Sequence, residues 1–117
     1  MRKSLTSAER LKSKADFARV FNNADIKSTY PGAKLVARKN GFERNRFAVT
    51  LVRKFGNAVQ RNYARRVLKE IYRNTKQDLP TGYDIIVVLY SGDYNYHERE
   101  QQFTKLIRRA GIAKTDS

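Results

Sequence analysis

Apolar residues recur along this chain with two different periods, and the changes of period mark its elements. Phe17, Val20, Phe21 and Ala24 fall at i, i+3, i+4 and i+7, the stripe of a helix with one buried face. Ser13, with Asp16 three residues later, suits a capping box at the start of that helix. Tyr30-Pro31-Gly32 then imposes an extended or turned backbone. Two strand patterns follow, Ala33–Lys39 and Arg46–Arg53, and the Asn40-Gly41 pair between them is a hairpin signal. In the second, Phe47, Val49 and Leu51 alternate with Ala48, Thr50 and Val52, so both faces are fairly apolar. A further strand around Ile26–Tyr30 precedes Pro31.

Beyond Gly56 the period returns to that of a helix. Asn57 is the natural N-cap, and Gln60 is placed to close the box. At about 100° per residue, Tyr63, Ala64, Val67, Leu68 and Ile71 share one arc. Arg61, Arg65, Lys69 and Arg73 fall on the opposite arc, with Arg66 at its edge. Leu79-Pro80-Thr81-Gly82 breaks the chain before Tyr83–Tyr90, a continuous apolar run that suits a strand buried on both faces. Asn95 and Glu98 form another capping box, and the last helix buries Phe103, Leu106, Ile107 and Ala110 before Gly111 ends it. The order is helix, two or three strands, helix, strand, helix. That predicts an α/β (α+β) sandwich two layers thick, in one domain over residues 1–117. Residues 1–12 read as a basic irregular arm and 112–117 as a flexible tail.

Charge turns the question from fold to partner. The chain has 25 basic against 11 acidic residues, a net +14, far beyond what solubility requires. Seven of those cations and a single acid, Glu70, lie between Arg53 and Arg73. A row of positive charge at helical spacing can follow a phosphate backbone, so a nucleic acid is the expected partner, against the blander reading of a solvated basic surface. No apolar run approaches about 20 residues and no lipidation motif is present, so no membrane partner is expected. The opening MRKSLTSAERLKSK lacks the apolar middle of a signal peptide. The absence of cysteine removes disulfides and thiolate chemistry, and it fits a reducing cytoplasm.

The run FAVTLVRKFGNAVQRN, continuing into ARRVLKE, resembles the protein component of bacterial ribonuclease P. That family shows a strand ending in two basic residues, here Arg53 and Lys54, then the turn Gly56-Asn57-Ala58-Val59. An Arg-Asn-Arg signature follows inside a basic helix, beginning here at Arg61-Asn62. Arg10-Leu11, Asp16-Phe17 and Val20-Phe21 match the family's first helix, and element order agrees from residue 10 to about 110. The signature's second arginine is Tyr63 in this chain, and on the angular reading it points to the apolar side.

The resemblance implies a fold like the second domain of ribosomal protein S5, with a left-handed β-α-β crossover against the usual rule. It also implies that a large RNA subunit, using Mg²⁺, cleaves precursor tRNA to free the mature 5′ end. The protein would be the non-catalytic subunit, gripping that RNA and holding the 5′ leader in a cleft between the first helix and the sheet. The residues for the RNA subunit would be Arg53, Lys54, Asn57, Arg61, Asn62, Arg65, Arg66 and Lys69. Those for the leader would be Phe17 and Phe21, whose rings either pack on the sheet or line a groove where bases stack.

No catalytic constellation contradicts that division of labour. The acids are scattered, and the one cluster, Asp93, Glu98 and Glu100 beside His97, fits a solvated helix N-terminus better than a metal site. No cofactor bound by the protein itself and no obligate protein partner are expected. The alternative is a structural RNA-binding protein, such as a ribosomal one, without an associated activity.

Overall fold

The computed structural model describes residues 9–112. Three helices and four strands follow one another: α1 (Lys14–Asn22), β1 (Ile26–Tyr30), β2 (Ala33–Lys39), β3 (Arg46–Leu51), α2 (Ala58–Thr75), β4 (Tyr83–Leu89) and α3 (Tyr96–Ala110). A single turn of 3₁₀ helix, Lys76–Asp78, links α2 to β4. The strands form one sheet in the order β1-β2-β4-β3, with β3 and β4 parallel and the other pairs antiparallel.

The sheet corrects one expectation. Asn40-Gly41 does not close a hairpin, because β4 lies between β2 and β3 and pairs with both. The reason is burial: β4 is the most continuously apolar strand, and a central place covers both its faces. The hairpin is instead β1–β2, closed at Tyr30 and Ala33 around Pro31-Gly32. The loop after β2 is held by Asn40, whose amide donates to the Arg44 carbonyl at 3.1 Å and to Asp84 at 2.9 Å. Asp84 also takes a two-pronged bond from Arg46, at 2.8 and 2.7 Å.

Alternation along the strands divides the core in two. Leu35, Ala37, Phe47, Leu51, Ile85, Val87 and Leu89 face α2 and α3, which together make the second layer of the sandwich. There the Phe47 ring stacks on Tyr72 with centroids 4.1 Å apart, and Phe103 meets it edge-on at 6.3 Å. Burying each such ring or branched side chain is worth about 1.5–3 kcal/mol. Val36, Ala48 and Ile86 face the other way, where α1 lies on β2 and β4 through Val20 and Phe17. Leu11 joins this cluster, and its N–H donates to the Phe47 carbonyl at 3.1 Å, so the end of the arm is fastened along the edge strand β3. Ile112 is buried in the larger cluster; residues 1–8 and the rest of the expected tail lie outside the described residues.

Local signals explain most helix ends. Both reciprocal capping boxes form, Asn57 with Gln60 and Asn95 with Glu98, and Gly111 ends α3 in the left-handed conformation. At α1 only half the box exists: Ser13 accepts from the Asp16 N–H, but the Asp16 carboxylate turns to Arg19 at 2.8 Å and Arg46 at 3.4 Å. Two arginines outbid one backbone amide. Burial pushes the Asp16 carboxyl up, but bonds from Arg19 and Ser13 and the charge of Arg46 together hold it below the usual value.

Candidate nucleic-acid interface

The basic surface begins where β3 ends. The strand stops at Leu51, two residues short of the expected Arg53, because the chain turns there with the Phe55 N–H donating to the Val52 carbonyl at 3.1 Å. Arg53 and Lys54 are therefore exposed on a tight turn rather than paired in the sheet. Gly56 follows, and a Cβ there would collide with the Gln60 carboxamide that closes the cap of α2. The Asn57 side-chain oxygen accepts from the Gln60 N–H at 2.9 Å, so that residue starts the helix.

Along α2 the buried residues are Ala64, Val67, Leu68, Ile71 and Tyr72. Asn62 and Arg66 are exposed, whereas Arg61, Arg65, Lys69 and Arg73 are half-buried. Tyr72 extends the apolar arc toward their side, which brings their stems against the protein while the charged heads reach solvent. Arg61 departs furthest from the expected solvent row. Its Nη1 donates to the carbonyls of Val52 and Arg53, each at 3.4 Å, and so ties the first turn of α2 to the end of β3.

Among the described residues, Arg53, Lys54, Arg61, Arg65, Arg66, Lys69 and Arg73 make no ion pair with a carboxylate. Glu70, the one acid in the stretch, makes no ion pair with any of them, and Asp16 and Asp84 are engaged by Arg46 and Glu9 by Lys76 at 3.0 Å. Seven cations thus share one continuous stretch with a single acid among them and no ion pair.

Tyr63 corrects the angular reading. It is 46% exposed, with the Arg66 guanidinium 5.9 Å from its ring. The ring stands at the edge of the buried arc, in the lining of a cavity that it shares with Ala64 and Val67 of its own helix and Arg99 of α3.

On the opposite face of the sheet the two phenylalanines of α1 part company. Phe17 is half-buried against the smaller core cluster, whereas Phe21 is 38% exposed. On that face one row across the sheet is left partly open, with Thr29 exposed and Lys34, Val88 and Thr50 half-buried. That row runs Thr29, Lys34, Val88, Thr50 in direct register. None of the four was singled out as a site residue from sequence; the signal was there in β2, where Lys34 and Arg38 alternate with the buried Leu35 and Ala37.

The acidic cluster near α3 does not converge. Glu98 is held by the Asn95 cap, and His97 lies 4.0 Å from Glu100. Among the described residues no three metal-ligating side chains come together. Among the described residues, no helix is long and apolar enough to cross a membrane.

Comparison with known proteins finds relatives in sequence and in fold. The family model described as Ribonuclease P matches residues 5–111. The ribonuclease P protein component of Thermotoga maritima is 36% identical over 89 residues, spanning 75% of this chain and 74% of its own. That of Petrotoga mobilis is 34% identical over 115 residues, spanning 86% and 90%. The solved RNase P protein from Thermotoga maritima covers 86% of this chain and 96% of its own, with a TM-score of 0.77 at 28% identity. For the Staphylococcus aureus protein the TM-score is 0.83 at 23% identity, over 92% of this chain and 99% of that one, a likeness of fold.

Proposed function

Since the chain belongs to the ribonuclease P protein family, we propose that it serves its holoenzyme by gripping the RNA subunit along α2 and holding the 5′ leader of precursor tRNA beside α1. The observation that carries this reading is the run of seven cations from Arg53 to Arg73 without a carboxylate partner among the described residues. A protein adapted only to its own stability would have paired some of them, since like charges at helical spacing repel. Phosphates supply the missing anions, and counterion release drives the association.

The Arg53–Lys54 turn and the exposed side of α2, with Asn62, Arg65, Arg66 and Lys69, form the RNA-subunit surface. Arg61 contributes charge and also fastens the turn that presents Arg53 and Lys54. Asn57 sets the start of the helix and so its angle to the sheet. On the other face, Phe21 and Phe17 wall a shallow groove whose floor is the row through Lys34, Val88 and Thr50. Stacking on rings tolerates any base, as leaders of differing sequence require, and Lys34 meets their phosphates. Cleavage chemistry belongs to the RNA subunit and its Mg²⁺; the protein works in the cytoplasm as a positioning subunit.

Reconstitution tests this. The purified chain alone is expected to leave precursor tRNA intact. Added to a bacterial ribonuclease P RNA, it is expected to lower the Mg²⁺ concentration at which the 5′ leader is removed, because its charge takes over part of the screening. Site-specific cleavage by RNA-free protein, or an unchanged Mg²⁺ requirement, would overturn the reading.

A further inference from the structure

Beside the basic row a cavity of about 360 Å³ opens between the start of α2 and the loop before α3. Its wall includes three aromatic rings from three separate segments: Phe55 from the turn, Tyr63 from α2 and Tyr94 from the loop. Gln60, Asp93 and Arg99 complete the polar part of the lining.

Arg99 organises this wall. It is only 3% exposed, and its guanidinium donates to neutral oxygens: the Gly32 and Tyr90 carbonyls, each at 3.2 Å, and Gln102 Oε1 at 2.9 Å. Its guanidinium carbon lies 4.6 Å from the centre of the Tyr94 ring and 5.8 Å from that of Phe55. Tyr94 is seated against Gly32 and Gly92, where a Cβ on either glycine would strike its ring. Two rings are thus set in place before any ligand arrives, and the third, Tyr63, stands 46% exposed at the mouth.

The lining carries one cation and one anion, Arg99 and Asp93, so it offers no net charge to a phosphate. It suits instead a flat neutral ring with a hydrogen-bonding edge. We infer that this cavity receives one unpaired nucleobase of the RNA that lies along α2. The base stacks against the aromatic wall while its phosphates stay outside on Arg53, Lys54 and Arg66. Continuity decides the ligand: Arg53 and Lys54 immediately precede Phe55, and Tyr63 sits on the basic helix under Arg66. The base must be unpaired, since only a bulged or looped nucleotide can leave its stack and present its faces. Asp93 accepts from an exocyclic amine, which favours adenine, cytosine or guanine over uracil. This inference rests on the RNA-binding reading above and adds a base site to it.

The test measures affinity for a transcribed bacterial ribonuclease P RNA over a range of salt concentrations. Tyr63→Leu and Tyr94→Leu are each expected to weaken binding by about 5–150-fold, the loss of one base–aromatic stack. The slope against salt is expected to stay unchanged, since no charge is removed. Tyr94→Phe keeps the ring and is expected to bind like the parent chain. The double leucine variant is expected to lose less than the product of the two, because both rings hold one base. Should Tyr94→Leu fail to fold, Tyr63→Leu decides alone, its ring being half in solvent. Parent-like binding by Tyr63→Leu, with Arg65→Ala still flattening the salt slope, would overturn the base site and leave the RNA-binding reading standing. Unchanged binding and slope in all of these variants, Arg65→Ala included, would end both.

Discussion

Replacing Phe21 by leucine separates ligand binding from folding more cleanly than any other change on α1. The ring is 38% exposed and lies outside the smaller core cluster, whereas Phe17, one turn earlier, packs against that cluster. Leucine keeps apolar bulk at either position but removes the flat face. At Phe17 part of the lost volume is interior, and a stability loss of about 1 kcal/mol is expected. At Phe21 the ring lies outside that cluster and is 38% exposed, so the expected loss is smaller, about 0.5 kcal/mol. Binding reverses the ranking. A base stacked on an aromatic ring contributes about 1–3 kcal/mol, and leucine retains some contact, so the lower end applies. One kcal/mol is roughly a fivefold change in Kd. The assay compares the reconstituted holoenzyme's Kd for precursor tRNA and for mature tRNA, which has no leader, alongside the melting temperature of each protein variant. Phe21→Leu is expected to bind precursor about fivefold more weakly, bind mature tRNA as before and melt near the parent. Equal losses for both tRNAs, or a melting point lowered as far as that of Phe17→Leu, would refute the groove.

Two further perturbations follow from the charges. Arg65→Ala and Arg66→Ala are each expected to weaken binding to the RNA subunit and to flatten the log–log salt dependence by about 0.7–0.9 units per lost phosphate contact; a circular-dichroism melt showing unfolding instead would make them structural. In the Arg46 network, Asp84→Asn is expected to lose up to about 3 kcal/mol in urea denaturation, since it removes the buried charge bonded to Arg46 at 2.7 Å and leaves that guanidinium only Asp16 at 3.4 Å. Asp16→Asn, nearer the surface, is expected to lose well under 1 kcal/mol. Because the folded Asp16 carboxyl lies below its unfolded value of 3.8, that contribution is present above pH 3.8 and fades as pH falls through the folded value. Parent and Asp16→Asn stabilities that fail to converge in acid would refute the assignment.

Much of the molecule is determined by local order in the sequence. Helix starts follow from Asn57 with Gln60 and Asn95 with Glu98, because a cap is made by residues three apart. Strand β4 was legible as a strand buried on both faces, since an apolar run of its length has no polar side to show to water. The basic stretch, too, was legible from charge alone, and Phe17 and Phe21 were placed on one helix by their spacing.

What tertiary structure decided is which of these parts meet. Asn40-Gly41 has the chemistry of a hairpin, yet the insertion of β4 separates its two strands, and no local signal encodes which strand takes the centre. Arg61 lies within the basic stretch, but only the approach of β3's end to α2 gives it two carbonyls to bind. Tyr63 is apolar by arc and exposed in fact, because nothing in its helix records that an open cavity, with Arg99 of α3 in its lining, lies beside it. Arg99 shares the stripe of Phe103 and Leu106, so its place on the inward face was readable. That a buried guanidinium could be satisfied there by the Gly32 and Tyr90 carbonyls was not, since only the folded sheet brings the β1–β2 turn beside the end of β4. Periodicity and capping are short-range and survive in one dimension; partner identity is long-range and exists only once the chain has folded.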